Sequence, residues 1–256
     1  MYGIVHGKYG NPDVRLGPIG LDEQEVYLIA EAGLCAVVHD CPATPYQSAD
    51  RPTLENWILT HQRVVQAAEQ RFGGILPMTF NMIVHGSRPG REDTPAESLR
   101  AWLIENRDRF ADLLDRLDGK AEYGVQILWD KAAVAKALVE TDPALQALGS
   151  QIEGQPKGLA YMLGQKLAKA TRAAIETWAQ RTAGEFYERI RGVVDDVRVS
   201  TAGKGKDQRQ ALLALSCLMG RDATALGDTL DQIARTPGIT VRFTGPWPAY
   251  SFVSHG

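Results

Sequence analysis

Cys35, His39 and Cys41 are the local trio of side chains able to ligate a metal, and zinc binding is the chemistry such a trio would serve. On a strand, positions 35 and 39 share a face, while 41 falls in the proline-bearing loop that follows. A fourth ligand would have to come from elsewhere, such as His6, and the spacing fits no zinc module. Cys35 reads more simply as a small buried residue. His61 stands in a helical stretch and reads as a surface or half-buried helical residue. The carboxylate pairs Glu92-Asp93 and Asp195-Asp196 are sequence neighbours whose side chains point in different directions, so neither is preset for acid–base work. Gly203-Lys204-Gly205-Lys206-Asp207 lacks the upstream glycine and the Ser/Thr of a phosphate loop and reads as a solvated basic loop. Cys-x-x-Cys, His-Glu-x-x-His, Gly-x-Ser-x-Gly and Walker motifs are missing from the sequence. The expectation is a protein with no catalytic residue, metal ligand or cofactor, although a site assembled from distant residues would leave no spacing signal.

The tail carries more. Gly245-Pro246-Trp247-Pro248-Ala249-Tyr250-Ser251-Phe252-Val253 packs two prolines, three aromatics and a glycine together. Alternate prolines hold the backbone extended and remove N–H donors. Trp247, Tyr250 and Phe252 each offer a large apolar area with little conformational freedom to lose. Either the segment is a strap sealing the core of its own domain, or it is an aromatic surface that docks a partner.

The elements that must position these residues follow from pattern. Residues 2–6 form a short strand. Residues 25–30 and 34–39 form a hairpin around Glu31-Ala32-Gly33, whose glycine supplies the positive φ of a short loop. A proline-rich loop leads to a helix over 54–71, capped by Thr53 and stopped by Gly73-Gly74. Residues 75–80 read as a short strand, with Pro77 confined to a strand start, edge or bulge. Thr94-Pro95-Ala96-Glu97 is a capping box opening a helix that runs to Gly119. Residues 121–129 form a strand; Asp130 and Asp142 cap the next two helices. After Pro156, helical periodicity persists to about 193, roughly 50 Å of rod at about 1.5 Å per residue, so the helix either bends, at Gly184, or braces both halves of the chain. A strand at 197–199, a strand at 211–219, a helix capped by Asp222 and a strand at 239–244 complete the order. The fold class is α+β (mixed α/β) in two domains. Residues 1–135 form a mixed sheet with helices, and residues 136–256 a ferredoxin-like variant carrying the long helix and the aromatic strap.

Composition sets the outer limits. The 256 residues are 44% hydrophobic and 23% charged, which excludes disordered and fibrous classes. With 28 basic and 31 acidic side chains the net charge is −3, so no global field draws the chain to nucleic acid. No apolar run reaches the ~20 residues of a membrane span. The first residues lack the pattern of a secretory signal, and three cysteines make a poor disulfide framework, so the cytoplasm is the expected location.

Gly245-Pro246-Trp247-Pro248-x-Tyr250-x-Phe252-Val253 resembles the C-terminal signature of the GvpL/GvpF family of gas vesicle accessory proteins. The resemblance continues in Tyr2-Gly3-Ile4-Val5, Leu34-x-Ala36-Val37-Val38, the helix bearing His61, Leu76-Pro77-Met78-x-Phe80 and Glu122-Tyr123-Gly124-Val125-Gln126-Ile127-x-Trp129. Ala249 stands where the family commonly has proline, and Asn81 where a glycine is usual; asparagine tolerates the left-handed backbone better than most residues. The resemblance implies a non-enzymatic protein of two α/β domains, required to build gas vesicles and associated with them. Its implied partners are the small, very hydrophobic shell protein of the GvpA type and other accessory proteins. Shell subunits carry apolar patches that aggregate in solution, and an apolar groove or sheet edge on an accessory protein would cover them. Pro77, Met78, Trp247, Tyr250 and Phe252 are the residues expected to border that surface. A self-assembling scaffold and an α/β enzyme with a dispersed site are the alternatives.

Overall fold

A computed structural model describes residues 1–9, 14–86, 93–200 and 210–253. The chain divides into two compact units, Met1–Glu122 with the tail from Pro246, and Tyr123–Gly245. The expected boundary at 135/136 thus falls inside the second unit, and the tail belongs with the first. The strand across 120–129 begins in one unit and ends in the other, so no break in sequence pattern marks the division.

In the first unit, β1 (Gly3–His6) and β2 (Arg15–Gly17) precede the hairpin of β3 (Val26–Glu31) and β4 (Leu34–Val38). Ala32 and Gly33 both take positive φ, at 53° and 79°, the geometry of a two-residue hairpin turn whose twist matches its strands. α1 (Arg51–Phe72) starts three residues earlier than its apolar periodicity. Its cap is Asp50, not Thr53: the Asp50 carboxylate accepts from the Thr53 amide at 3.0 Å and from the Thr53 hydroxyl. β5 is only Leu76–Pro77, although Met78 N just beyond it still donates to the Tyr2 carbonyl at 2.8 Å. The helix expected from Thr94 to Gly119 is two, α2 (Pro95–Glu105) and α3 (Arg107–Leu117), broken at Asn106. The Asn106 side chain bonds the Trp102 carbonyl at 2.9 Å, competing with the helical ladder.

The sheet order is β2-β3-β4-β1-β5, and every registered pair in it is antiparallel. β5 is therefore an edge. It can lie against β1 because Gly3 has no Cβ; one would stand 2.7 Å from the Leu76 carbonyl oxygen. Tyr2, Val5, Val26, Leu28, Cys35 and Val37 pack with Val64, Val65, Ala68 and Phe72 of α1 in one core.

The second unit opens with most of β6 (Lys120–Trp129), then α4 (Lys131–Thr141), α5 (Pro143–Ser150) and α6 (Lys157–Arg191). Asp130 and Asp142 cap α4 and α5 as expected. α6 is helical through all 35 residues and continuous through Gly184. β7 (Asp196–Val199), β8 (Gln210–Gly220), α7 (Thr224–Ala234) and β9 (Ile239–Trp247) follow, and α8 (Tyr250–Val253) closes the chain in the first unit. The sheet order β7-β8-β6-β9 puts the first strand between the third and fourth, as in the ferredoxin-like split β-α-β arrangement. α4 and α5 are inserted before the long helix. Trp178 of α6 stacks on Trp129 at 5.8 Å, and Phe186 and Ile190 are buried farther along.

Candidate functional site

The tail leaves β9 after Trp247, where Pro248 offers no N–H to a neighbouring strand; just before, within the strand, Gly245 takes φ 123°, which a side chain would oppose. The chain then closes one helical turn, with Tyr250 N donating to the Pro248 carbonyl at 2.8 Å and Phe252 N to that of Ala249 at 3.1 Å. The turn is held at its amino end by Glu122. This buried carboxylate accepts from the Ser251 amide at 2.8 Å and the Ser251 hydroxyl at 2.6 Å. A carboxylate at the amino end of a turn satisfies donors that have no intrahelical acceptor.

The five residues expected at a partner surface divide into two groups. Phe252 is fully enclosed, Pro77 and Met78 are buried, and α8 packs against β5. The side chains of these three are thus enclosed, and β5, against which α8 lies, is the terminal strand of the five-stranded sheet. Trp247 is 41% exposed. With Pro248, Tyr250, Glu122 and the α1 residues Gln62 and Gln66, it lines a cleft of about 240 Å³. Tyr250 rests on the core under α1, and its enclosed hydroxyl has no hydrogen-bond partner among the described residues. Burial pushes its pKa up to about 12, with Glu69 adding to the effect. The cleft therefore combines an indole rim, a proline, a phenol, two amides and the Glu122 carboxylate that Ser251 engages.

A second polar cluster escaped sequence reasoning. The Tyr2 hydroxyl accepts from the Leu21 amide at 3.0 Å and contacts His39 Nδ1. On the other side of the His39 ring, Nε2 faces the Tyr46 hydroxyl 3.5 Å away. His61 is buried rather than on the surface. Its ring lies 5.2 Å from that of Tyr2 and 5.9 Å from Phe80, and its Nε2 has no partner among the described residues. Burial, aided by the Met1 ammonium, lowers both histidines to about 4, so both rings are neutral near pH 7. The signal for His61 was its spacing: positions 61, 64, 65, 68 and 72 form one buried stripe of α1. Asn81 does take the left-handed conformation, φ 68°, and its side chain bonds the Tyr46 amide and carbonyl at 2.9 and 3.0 Å.

Among the described residues, no group of three or more His, Cys, Asp or Glu side chains is placed to hold a metal, and Cys35 is buried in the core. No described helix is long and apolar enough to cross a membrane. The basic loop at 203–207 and Glu92 lie outside the described residues.

The family described as gas vesicle synthesis protein GvpL/GvpF matches residues 1–254. Gas vesicle protein L1 of Halobacterium salinarum is 30% identical over 93% of this chain and 84% of its own length. Gas vesicle protein L of Haloferax mediterranei is 31% identical over 91% and 72%. Gas vesicle protein F of a Streptomyces species is 27% identical over 99% and 98%. The crystal structure of the gas vesicle protein GvpF from Anabaena superposes with a TM-score of 0.73, at 19% identity, over 100% of this chain and 97% of that one. Glu122 and Ser251, which meet at the clamp, come from two of the segments whose residues resemble the family, and both lie within the matched range. The chain belongs to the GvpL/GvpF family of gas vesicle synthesis proteins.

Proposed function

We propose that this protein is an accessory component of gas vesicle assembly in the cytoplasm that captures the small hydrophobic shell subunit at the Trp247 cleft and acts alongside other accessory proteins. The observation carrying this reading is the exposure of Trp247 beside Pro248 and Tyr250, on a tail whose neighbours are pinned by Glu122 and buried Phe252. Tryptophan is costly to leave in water and dominates the energy of many protein interfaces when a partner covers it. The rigid backing lowers the ordering cost of binding. Gln62 and Gln66 supply amide groups able to bond a partner's backbone.

Co-expression of the tagged protein with the shell subunit tests the reading. Wild type is expected to hold the subunit soluble and co-purify with it. Trp247→Ala is expected to keep its fold by circular dichroism and lose affinity for the subunit by about thirtyfold, the weakening that marks an interface hot spot of about 2 kcal/mol. A folded Trp247→Ala protein that captures as well as wild type would overturn the assignment of the cleft.

A further inference from the structure

The two compact units carry opposite charge. Residues 1–122 with 246–256 contain 12 basic and 18 acidic side chains, net −6, and residues 123–245 contain 16 and 13, net +3. Within the second unit the excess is concentrated. From Lys157 to Arg172, α6 has four basic residues and no acidic one. Its inner face packs against α4 and α5, leaving Lys166, Lys169 and Arg172 exposed. None of these three has an ion-pair partner among the described residues. Beside them stand Tyr161 and Met162, 70% and 69% exposed. Met162, Lys166 and Lys169 follow the i, i+4, i+7 spacing of one helical face. An exposed aromatic and a thioether ahead of three unpaired cations is an unusual face for solvent alone.

The first unit holds a counterpart. Ile104, 57% exposed at the end of α2, precedes exposed Asp108, Asp112 and Asp115 of α3. These aspartates again follow i, i+4, i+7. Asp115 pairs with His6 Nε2 at 3.3 Å, whereas Asp108 and Asp112 have no ion-pair partner among the described residues. Arg109 is turned over the Phe110 ring, and Arg116 has an interaction of its own. At about 1.5 Å per residue, the aspartates span ~10 Å and the cations of α6 ~9 Å, so the stripes match in length as well as in sign.

We infer that the Tyr161–Arg172 face of α6 docks on the Ile104–Asp115 face of a second copy of this chain. The contact is heterologous, with different surfaces on the two copies, so each copy has both a donor and an acceptor face free for further copies. The facing charges supply the attraction, and the apolar residues at one end fix the register and oppose the reversed orientation, which would set them against charge.

Sedimentation velocity on the full chain, over rising concentration at low and high salt, tests this. Wild type is expected to associate at low salt and dissociate as salt screens the stripes. Lys166→Glu/Lys169→Glu/Arg172→Glu is expected to weaken association at least tenfold, and Asp108→Lys/Asp112→Lys to do the same, with circular dichroism of both unchanged because all five positions are exposed. An equimolar mixture of the two variants is expected to associate again, since each reversed stripe now faces its opposite. A monomeric wild type at low salt, or a mixture no more associated than its components, would overturn the inference. So would a cation-reversed variant that still associates like wild type.

Discussion

At the scale of single residues, His39 and His61 make stability depend on pH in a definite direction. Both are neutral in the folded protein down to about pH 4, whereas an unfolded imidazole titrates near 6.5. Between those values the unfolded chain binds more protons than the folded one, so their contribution is intact above pH 6.5 and is lost as pH falls toward 4. The loss approaches about 3 kcal/mol per ring at its limit. His61→Phe keeps an aromatic ring against Tyr2 and Phe80 while removing one titrating group and the unpartnered Nε2. Its urea midpoint is expected to fall less than that of wild type between pH 7 and pH 4.5. Equal falls would show that His61 is protonated in both states alike. The clamp yields a second test. Glu122→Ala removes both bonds to Ser251 and is expected to cost about 2–4 kcal/mol, because bonds to a charged acceptor are worth more than neutral ones. Glu122→Gln retains one acceptor oxygen and is expected to cost about half as much. If denaturant midpoints of the two variants coincide, the carboxylate is not the holding group.

At the scale of elements, what the sequence reveals depends on how local the cause is. Capping aspartates 130 and 142, the capping box at Thr94 and Glu97, and the Ala32-Gly33 turn act within a few residues, and all stand where their chemistry places them. The start of α1 is less legible, because Pro52 and Asp50 precede the apolar stripe and the cap satisfies an amide three residues on. β2 is not legible at all: three residues held as an edge by pairing with β3 carry no periodicity of their own. The site follows the same division. The aromatic tail stood out by composition, and exposed Trp247 and half-buried Tyr250 line one cleft. The bond from Ser251 to Glu122 spans 129 positions, and the burial of His61 depends on Tyr2 and Phe80 arriving from other elements. Tertiary packing supplies those contacts, and spacing along one element does not encode them.

At the scale of the whole molecule, the path of the chain runs against its order. The tail follows β9 of the second unit in sequence, yet Tyr250 and Phe252 pack in the first, where α8 covers β5. Ending the chain after Trp247 is therefore expected to weaken the unit farther away in sequence. Loss of Phe252 alone removes a fully enclosed ring, a change of about 3–5 kcal/mol in a core that cannot collapse to fill it. Loss of α8 also uncovers β5 and leaves Glu122 buried with neither bond to Ser251. None of these changes touches Phe186, Ile190, Leu215, Leu226 or Leu230, which fill the core of the second unit. Hydrogen exchange followed residue by residue separates the outcomes. In the shortened chain, amides of β1, β4 and α1 are expected to exchange at least a hundredfold faster than in wild type, while those of β8 and α7 keep their protection, because exchange from buried amides reports the stability of the unit that holds them. Equal loss in both units would mean that they unfold as one body. Loss confined to β8 and α7 would place the tail's stabilising contacts in the second unit instead.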